Sequence, residues 1–388
     1  MAVGKPEIYD VIVMGVGSMG SSACYYLAKQ GYRVLGLEQF SIPNELSSHA
    51  GQSRIIRKAY FEHPDYVPLL ERAYHNWAEL ENESREKIYY QTGLLYAGPL
   101  HHPMIEGVKQ SASRYDIPLE YISQKEAKKK FGSFAVPDDY AILFEPDAGF
   151  VTPEQAITQY ARLAVNLGAH VQDKVQVLSW TKTQDIIHVH TSNGTHTATK
   201  LIITAGPWAG KWIPPSIVPL RITRQVLAWV DTAHPSGFQL GTIPCWLIAD
   251  NGRPGVFYGF PVLPEESFEG PSGFKLALHY PGEDTDPDQI DRTVTPNDER
   301  LLVDFMERYF PGEYRTTLAM KTCMYTNSTD EHFILDFLPG YDQQVVIATG
   351  FSGHGFKFAS VIGEILCDLA VKGNTKWPIG FLRAGRFR

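Results

Sequence analysis

Apolar and polar positions divide the chain into segments of two different periods. The run 10–14 is almost continuously apolar and ends in Gly15-Val16-Gly17-Ser18-Met19-Gly20, after which Ala23, Tyr26 and Leu27 recur at helical spacing up to Gly31. This predicts a buried strand, a tight glycine turn and a helix. A second apolar run, 33–37, ends at Glu38 and completes a βαβ start. The middle of the chain alternates instead: 174–180 and 186–191 read as strands, Asn193-Gly194 as a hairpin turn and 195–199 as its return strand, a small antiparallel meander. A separate buried strand at 200–204 follows, then a reversal at Ala205-Gly206-Pro207-Trp208.

From about Ile222 to Met320 the pattern is strand-rich and interrupted by proline, with strands expected at 225–230, 256–260 and 274–280. The C-terminal part returns to the first logic. An apolar run at 345–348 leads to Gly350, Gly353 and Gly355, and then Phe358, Val361, Ile362, Ile365, Leu366 and Leu369 mark one face of a helix. The expected fold class is α/β, or α+β in its two-domain organisation. A discontinuous Rossmann-like domain is expected from 1–88, 148–218 and 322–388, and an antiparallel-sheet substrate domain from 89–147 and 219–321.

The glycine loop carries specific physics. Gly15 permits the turn, Gly17 lets the backbone approach a pyrophosphate, Gly20 lets helix and strand pack closely, and the helix N-terminus attracts the anion. Glu38 lies at the offset of a ribose-binding acid, which disfavours the 2′-phosphate of NADP. The meander and the turn after it favour FAD over NAD.

Composition narrows the partners. A formal charge of -8 argues against a broad basic surface, hence against nucleic acid or an anionic membrane as partner. No apolar run approaches the roughly 18 residues of a membrane span, and Met1 to Tyr9 lacks a signal-peptide layout. A soluble, cytoplasmic protein is expected. Cys24, Cys245, Cys323 and Cys367 are far apart, which suggests neither a zinc site nor a disulfide framework. Asp330-Glu331-His332 does not read as a metal site either, and His354 stands where a G-x-S-x-G nucleophile elbow requires glycine.

Arg54, Arg57 and Lys58 follow the small polar loop Ser47-Ser48-His49-Ala50-Gly51. The bland reading is a solvated basic face, but Ile55 and Ile56 argue for partial burial. Lys357 stands at the start of the last helix, where a cation is unfavourable without an anion nearby. A substrate carboxylate between Arg57 and Lys357 resolves this and implies an amino or imino acid. Cys323, on composition alone, reads as a small buried hydrophobe.

With these segments assembled, the chain resembles the monomeric sarcosine oxidase family of covalent flavoenzymes, which includes N-methyltryptophan and pipecolate oxidases. The likeness runs from Tyr9 to Arg388 and is most specific at 10–20, 53–60, 323–336 and 350–358. It implies FAD attached through the Cys323 sulfur to the flavin 8α carbon. It adds Ser48 to a cofactor-binding set of Gly15, Gly17, Gly20, Glu38, Gly353, Gly355 and Lys357. Arg57 and Lys357 match the family's carboxylate clamp, and Tyr258, His279 and Tyr325 match residues lining the substrate pocket. Lys275 matches the oxygen-activating lysine, with Arg54 near it; without the family, Lys275 reads as a strand-edge gatekeeper.

The implied reaction takes a secondary amino acid, N-methyl or cyclic, to the imine while O2 becomes H2O2, in a monomeric enzyme. Two departures stand out: His49-Ala50-Gly51-Gln52 replaces the His-His-Gly-Asp of many members, and 261–273 is longer and more acidic than in the sarcosine oxidases. The competing readings are an NAD-dependent amino-acid dehydrogenase and a non-catalytic flavin-binding protein.

Overall fold

Residues 8–132 and 134–387 are described by the structure, a computed structural model. Most of the stretch read for a signal peptide, and Arg388 at the end of the family likeness, lie outside them. The strand Ile8–Met14 sits in the middle of an eight-stranded sheet, paired parallel with Val34–Leu37 on one side and Gly194–Ile203 on the other. Gly194–Ile203 also pairs parallel with Val345–Thr349. The register aligns Met14 with both Leu37 and Ile203, and Ile203 with Ile347. Four strands therefore end side by side, and the loops that leave them, at Gly15, Glu38, Thr204 and Gly350, open on one crevice, the usual ligand position of such sheets.

Alternation along Ile8–Met14 separates two cores. Val11 and Val13 pack with the helices Ser18–Lys29 and Ala359–Lys372, while Ile12 and Met14 pack against Val177, Ile187, Val189 and Ile213. The helices approach closely: a Cβ on Gly363 would lie 2.0 Å from Ser22 Oγ, and one on Gly20 would lie 1.8 Å from Gly15 O. The absence of a side chain at Gly20 thus lets the first helix sit directly against the Gly15 turn.

The meander differs from expectation in three details. The expected runs 195–199 and 200–204 merge, up to Ile203, into one unbroken strand, Gly194–Ile203, whose first half pairs with Ile186–Thr191 and whose second half enters the parallel core, with Thr204 beginning the loop. No breaker separates the halves; only the burial changes. The hairpin turn is Ser192-Asn193, because Gly194 already pairs with Thr191. The first strand runs Val177–Thr183, since Lys174 is left-handed (φ 56) and its amide donates to Phe40 O, closing a loop instead.

The second sheet has nine strands. Its spine is the antiparallel pair Leu220–Thr232 and Tyr314–Ser328, matched from Leu220↔Ser328 to Thr232↔Tyr314. Phe274–His279 and Val256–Phe260 continue the sheet from Leu220–Thr232. The expected strand 225–230 is the centre of the longer Leu220–Thr232. One pairing is parallel, Cys245–Ile248 with Leu94–Pro99, so the sheet is not purely antiparallel. The helix Pro296–Tyr309 covers it, capped by Thr295 and Asp298 in a reciprocal capping box. A small third sheet, Arg54–Ile56, Gly149–Val151 and Tyr89–Gln91, carries the segment that leads into Arg57. Among the described residues no helix is long and apolar enough to cross a membrane.

Candidate active site

A cavity of about 470 Å³ lies between the ends of the parallel strands and the second sheet. Gly15, Gly17, Glu38, Ser48 and His49 line it from the nucleotide-type loops; Arg57, Tyr258, His279, Tyr325, Gly353, Gly355 and Lys357 also line it. Gly20, Lys275 and Cys323 stand behind this lining. Cys323 is buried on the same strand face as Tyr325, packed with Leu227, Trp229 and Ala277.

The glycine loop owes its shape to contact distances. Gly15 is left-handed (φ 92), and a Cβ there would lie 2.6 Å from Thr204 O. Gly17 precedes the helix Ser18–Lys29 with no side-chain cap, so the first-turn amides stay open to an anion. Glu38 accepts from the Val16 amide at 2.9 Å and the Phe40 amide at 3.1 Å. It therefore pins the loop as well as lining the cavity, and burial raises its carboxyl despite those amides.

Arg57 is buried, and its Nη2 donates to both oxygens of Glu62, at 2.7 and 2.6 Å. The guanidinium also lies 4.2 Å from the ring centres of Tyr60 and Phe61. Burial alone would raise the Glu62 carboxyl, but Arg57, with His354 and Lys357, holds it down at about 2. Lys357 donates to His354 O at 2.6 Å. Burial, reinforced by Arg57 and opposed by Glu62, lowers its ammonium to about 7. His354 bonds the Tyr60 hydroxyl through Nδ1 at 2.5 Å. His279 meets the Tyr325 hydroxyl at 3.3 Å, and burial lowers its imidazole to about 4. Gly353 is left-handed (φ 76) and abuts the Tyr325 ring, where a Cβ would sit 2.2 Å away.

A second set of cations gathers at the loop 48–53. Arg54 donates to Ser48 O, Ala50 O and Ser53 O at 3.1, 2.6 and 2.8 Å. Lys275 donates to Gly51 O, to Ser53 O at 2.9 Å and to Ser53 Oγ at 3.1 Å. Burial, with Arg54 adding to it, pushes Lys275 well below the usual lysine range. Burial raises the Cys323 thiol, while Arg54, Lys275 and Arg292 pull it back. Lys58, the third cation of the sequence cluster, is partly exposed and lies 3.5 Å from Asp147.

Three buried polar atoms on cavity-lining residues, His49 Nε2, Thr326 Oγ1 and Thr349 Oγ1, have no partner among the described residues. Such atoms call for a polar ligand. Together with the open helix amides and the glycine cradle, they fit a dinucleotide.

Glu62 and His354 had no part in the expected site. Glu62 carries no motif, and its one signal is its place five positions after Arg57. In the sequence His354 is marked only as the residue that breaks a hydrolase pattern. Asp330 and His332 are spent on structure, pairing with Arg386 and with the Tyr66 hydroxyl.

Comparison with known proteins agrees with this geometry. Residues 10–369 match the family model described as FAD dependent oxidoreductase. The monomeric sarcosine oxidase of Streptomyces avermitilis is 39% identical, with 96% of each chain covered. The N-methyl-L-tryptophan oxidase of Yersinia pestis is 32% identical over 98% of this chain and 100% of its own. The solved structure of NikD, an unusual amino acid oxidase, superposes with a TM-score of 0.85 at 23% identity, covering 97% of both chains. The chain therefore belongs to the FAD dependent oxidoreductases and, within them, to the monomeric sarcosine oxidase family of FAD-dependent amine oxidases.

Proposed function

We propose that this protein oxidises a secondary amino acid, N-methyl or cyclic, to its imine, with O2 reduced to H2O2. The observation that carries the reading is a pair of buried cations that act on one carboxylate, that of Glu62: Arg57 donates to both of its oxygens, and Lys357, bonded to His354 O, helps to hold it ionised. A site that already holds one carboxylate in this way is built to hold a substrate's. Relatives named for sarcosine and N-methyl-L-tryptophan support an N-alkyl amino acid.

FAD bound in the cavity supplies the two-electron acceptor. Gly15, Gly17 and the open amides of Ser18–Lys29 hold its pyrophosphate, Glu38 its ribose, and Ser48, Gly353, Gly355 and Lys357 its remaining polar edge. Cys323 carries it through a thioether. Arg57 and Lys357 bind the substrate carboxylate, displacing Glu62. The amine binds in its neutral form, having left its proton to solvent, and His279, kept uncharged above about pH 4 by burial, accepts a hydrogen bond from it and positions it. Tyr258 and Tyr325 wall the substrate in. Lys275, presented by Gly51 and Ser53 with Arg54 beside it, serves O2 as it gains an electron: the negative charge developing on oxygen favours the ammonium that burial disfavours, and the two cations stabilise that charge. The released imine hydrolyses in water. The protein works as a monomer, in keeping with the relatives' names.

The test is peroxide release by the purified yellow protein from sarcosine, N-methyl-L-tryptophan, pipecolate, proline and a glycated amino acid. Peroxide from at least one is expected. A flavin-loaded protein silent with all five overturns the reading; the NAD-dependent alternative is already set aside by the match to the FAD dependent oxidoreductases.

A further inference from the structure

The loop 48–53 is held in a shape that its sequence resists. Gly51 is at φ 120 and Gln52, a residue with a Cβ, is left-handed at φ 72. Four of the loop's carbonyls point toward cations: those of Ser48, Ala50 and Ser53 toward Arg54, those of Gly51 and Ser53 toward Lys275. Two of its amides point the other way. Gly51 N and Gln52 N both donate to Glu154 Oε1, at 2.8 and 3.1 Å.

Glu154 stands in the first turn of the helix Pro153–Asn166, where the helix end favours a carboxylate. It does not line the cavity. The Gln52 side chain is used elsewhere, donating to Glu269 O at 3.0 Å and accepting from Trp229 Nε1 at 3.1 Å. Position 52 thus supplies no negative charge, and Glu154 is the carboxylate facing Arg54, Lys275 and His49. One carboxylate oxygen locks two consecutive peptide units; the carbonyl of the first, that of Ala50, receives Arg54, and the carbonyl of the second, that of Gly51, receives Lys275.

We infer that Glu154 is a positioning residue for the oxygen-side cations: by fixing the Gly51 and Gln52 amides it aims the Gly51 carbonyl at Lys275 and the Ala50 carbonyl at Arg54. The inference rests on the reading of Lys275 as the group that serves O2.

The experiment compares holoenzymes carrying Glu154→Gln, Glu154→Asp, Lys275→Met and the double change Glu154→Gln/Lys275→Met, each checked for folding by thermal melting. Stopped flow measures reoxidation of the reduced enzyme by O2 separately from anaerobic reduction by substrate. Hydrogen–deuterium exchange reads the 48–53 segment without turnover. Glu154→Gln should speed exchange there and slow reoxidation by about tenfold or more, the loss expected for one charge-assisted hydrogen bond. Reduction should slow much less. Glu154→Asp, which keeps the charge, should recover part of the rate and stands in if the Gln variant does not fold. The double variant should be no slower than Lys275→Met alone. If Lys275→Met reoxidises at the normal rate, the reading of Lys275 falls and this inference with it. If Lys275→Met is slow but the Glu154 variants are not, or if the two effects multiply, Glu154 does not act through Lys275 and only this inference is overturned.

Discussion

Arg57 and Glu62 form a buried ion pair in which one guanidinium nitrogen touches both carboxylate oxygens, at 2.6 and 2.7 Å. A buried pair of this kind adds little net stability, because desolvation consumes most of the attraction. Its meaning is functional. The clamp is shielded by an internal anion of the same chemical class as the proposed ligand, so substrate binding is an exchange of one carboxylate for another.

Glu62→Gln removes the competing charge and keeps the shape. Arg57 and Lys357 then lack an anion, and a simple carboxylate such as acetate should bind about tenfold more tightly, measured by flavin spectral titration. The same variant should melt lower, since removing one partner of a buried pair costs about 3–5 kcal/mol. Weaker acetate binding would mean that Glu62 helps to hold the ligand and does not give way to it.

Lys357 sets a pH dependence with a definite sign. Its ammonium is lowered to about 7, so in the free site it loses its proton as pH rises through neutrality. A bound carboxylate favours the charged form and draws the proton back. At pH 8 carboxylate binding should take up about one proton per site, visible as a buffer-dependent heat of binding. Below pH 6 the uptake should vanish. The facing groups do not share this step, because Glu62, His279 and His354 titrate at about 2, 4 and 3. Lys357→Met should abolish the uptake; uptake that persists would assign it elsewhere.

Cys323 makes a prediction independent of turnover. Its thiol is buried beside Tyr325 and within the influence of Arg54, Lys275 and Arg292. Acid precipitation of the purified protein should leave the yellow colour in the pellet, and Cys323→Ser should move it to the supernatant. Colour that leaves the wild-type pellet would exclude a covalent link.

Much of this site was legible in the sequence because its parts are local. The run from Asp10 to Glu38 announces strand, turn, helix and strand through period and glycine placement alone, and Met14, Leu37 and Ile203 then align as parallel strands require. Lys357 is conspicuous in the sequence as a cation at a helix start, and Arg57 only as one of a basic cluster with Arg54 and Lys58, its pairing with Lys357 coming from the family resemblance. Glu62 and Glu154 are not conspicuous, for opposite reasons. Glu62 is near Arg57 in sequence but sits in no periodic element, so nothing marks it off from a surface glutamate. Glu154 lies about a hundred positions from Gly51 and reads as an ordinary first-turn acid of a helix. Only the folded chain places its carboxylate under the loop. The join between meander and core strand was missed because a change of burial within Gly194–Ile203 resembles a boundary.

Gly353 and Gly340 allow a controlled test of how tightly the pocket is packed. Both are left-handed, at φ 76 and φ 88, so alanine strains the backbone similarly at either position. They differ in surroundings: a Cβ on Gly353 would meet the Tyr325 ring at 2.2 Å, whereas one on Gly340 meets nothing within 4 Å. Gly340→Ala should therefore cost only the conformational term, about 1 kcal/mol. Gly353→Ala should cost a further 1–3 kcal/mol or so for overpacking, and the displaced Tyr325 would carry its bond to His279 with it. Urea unfolding gives the stability difference, and acetate titration gives the effect on the pocket, which should weaken in Gly353→Ala and stay level in Gly340→Ala. Adding Tyr325→Ala to Gly353→Ala removes the ring that the new methyl strikes, so the two losses should sum to more than the double variant shows. Strict additivity would mean that Gly353 is required for the loop's own conformation alone and that Tyr325 does not rest on it.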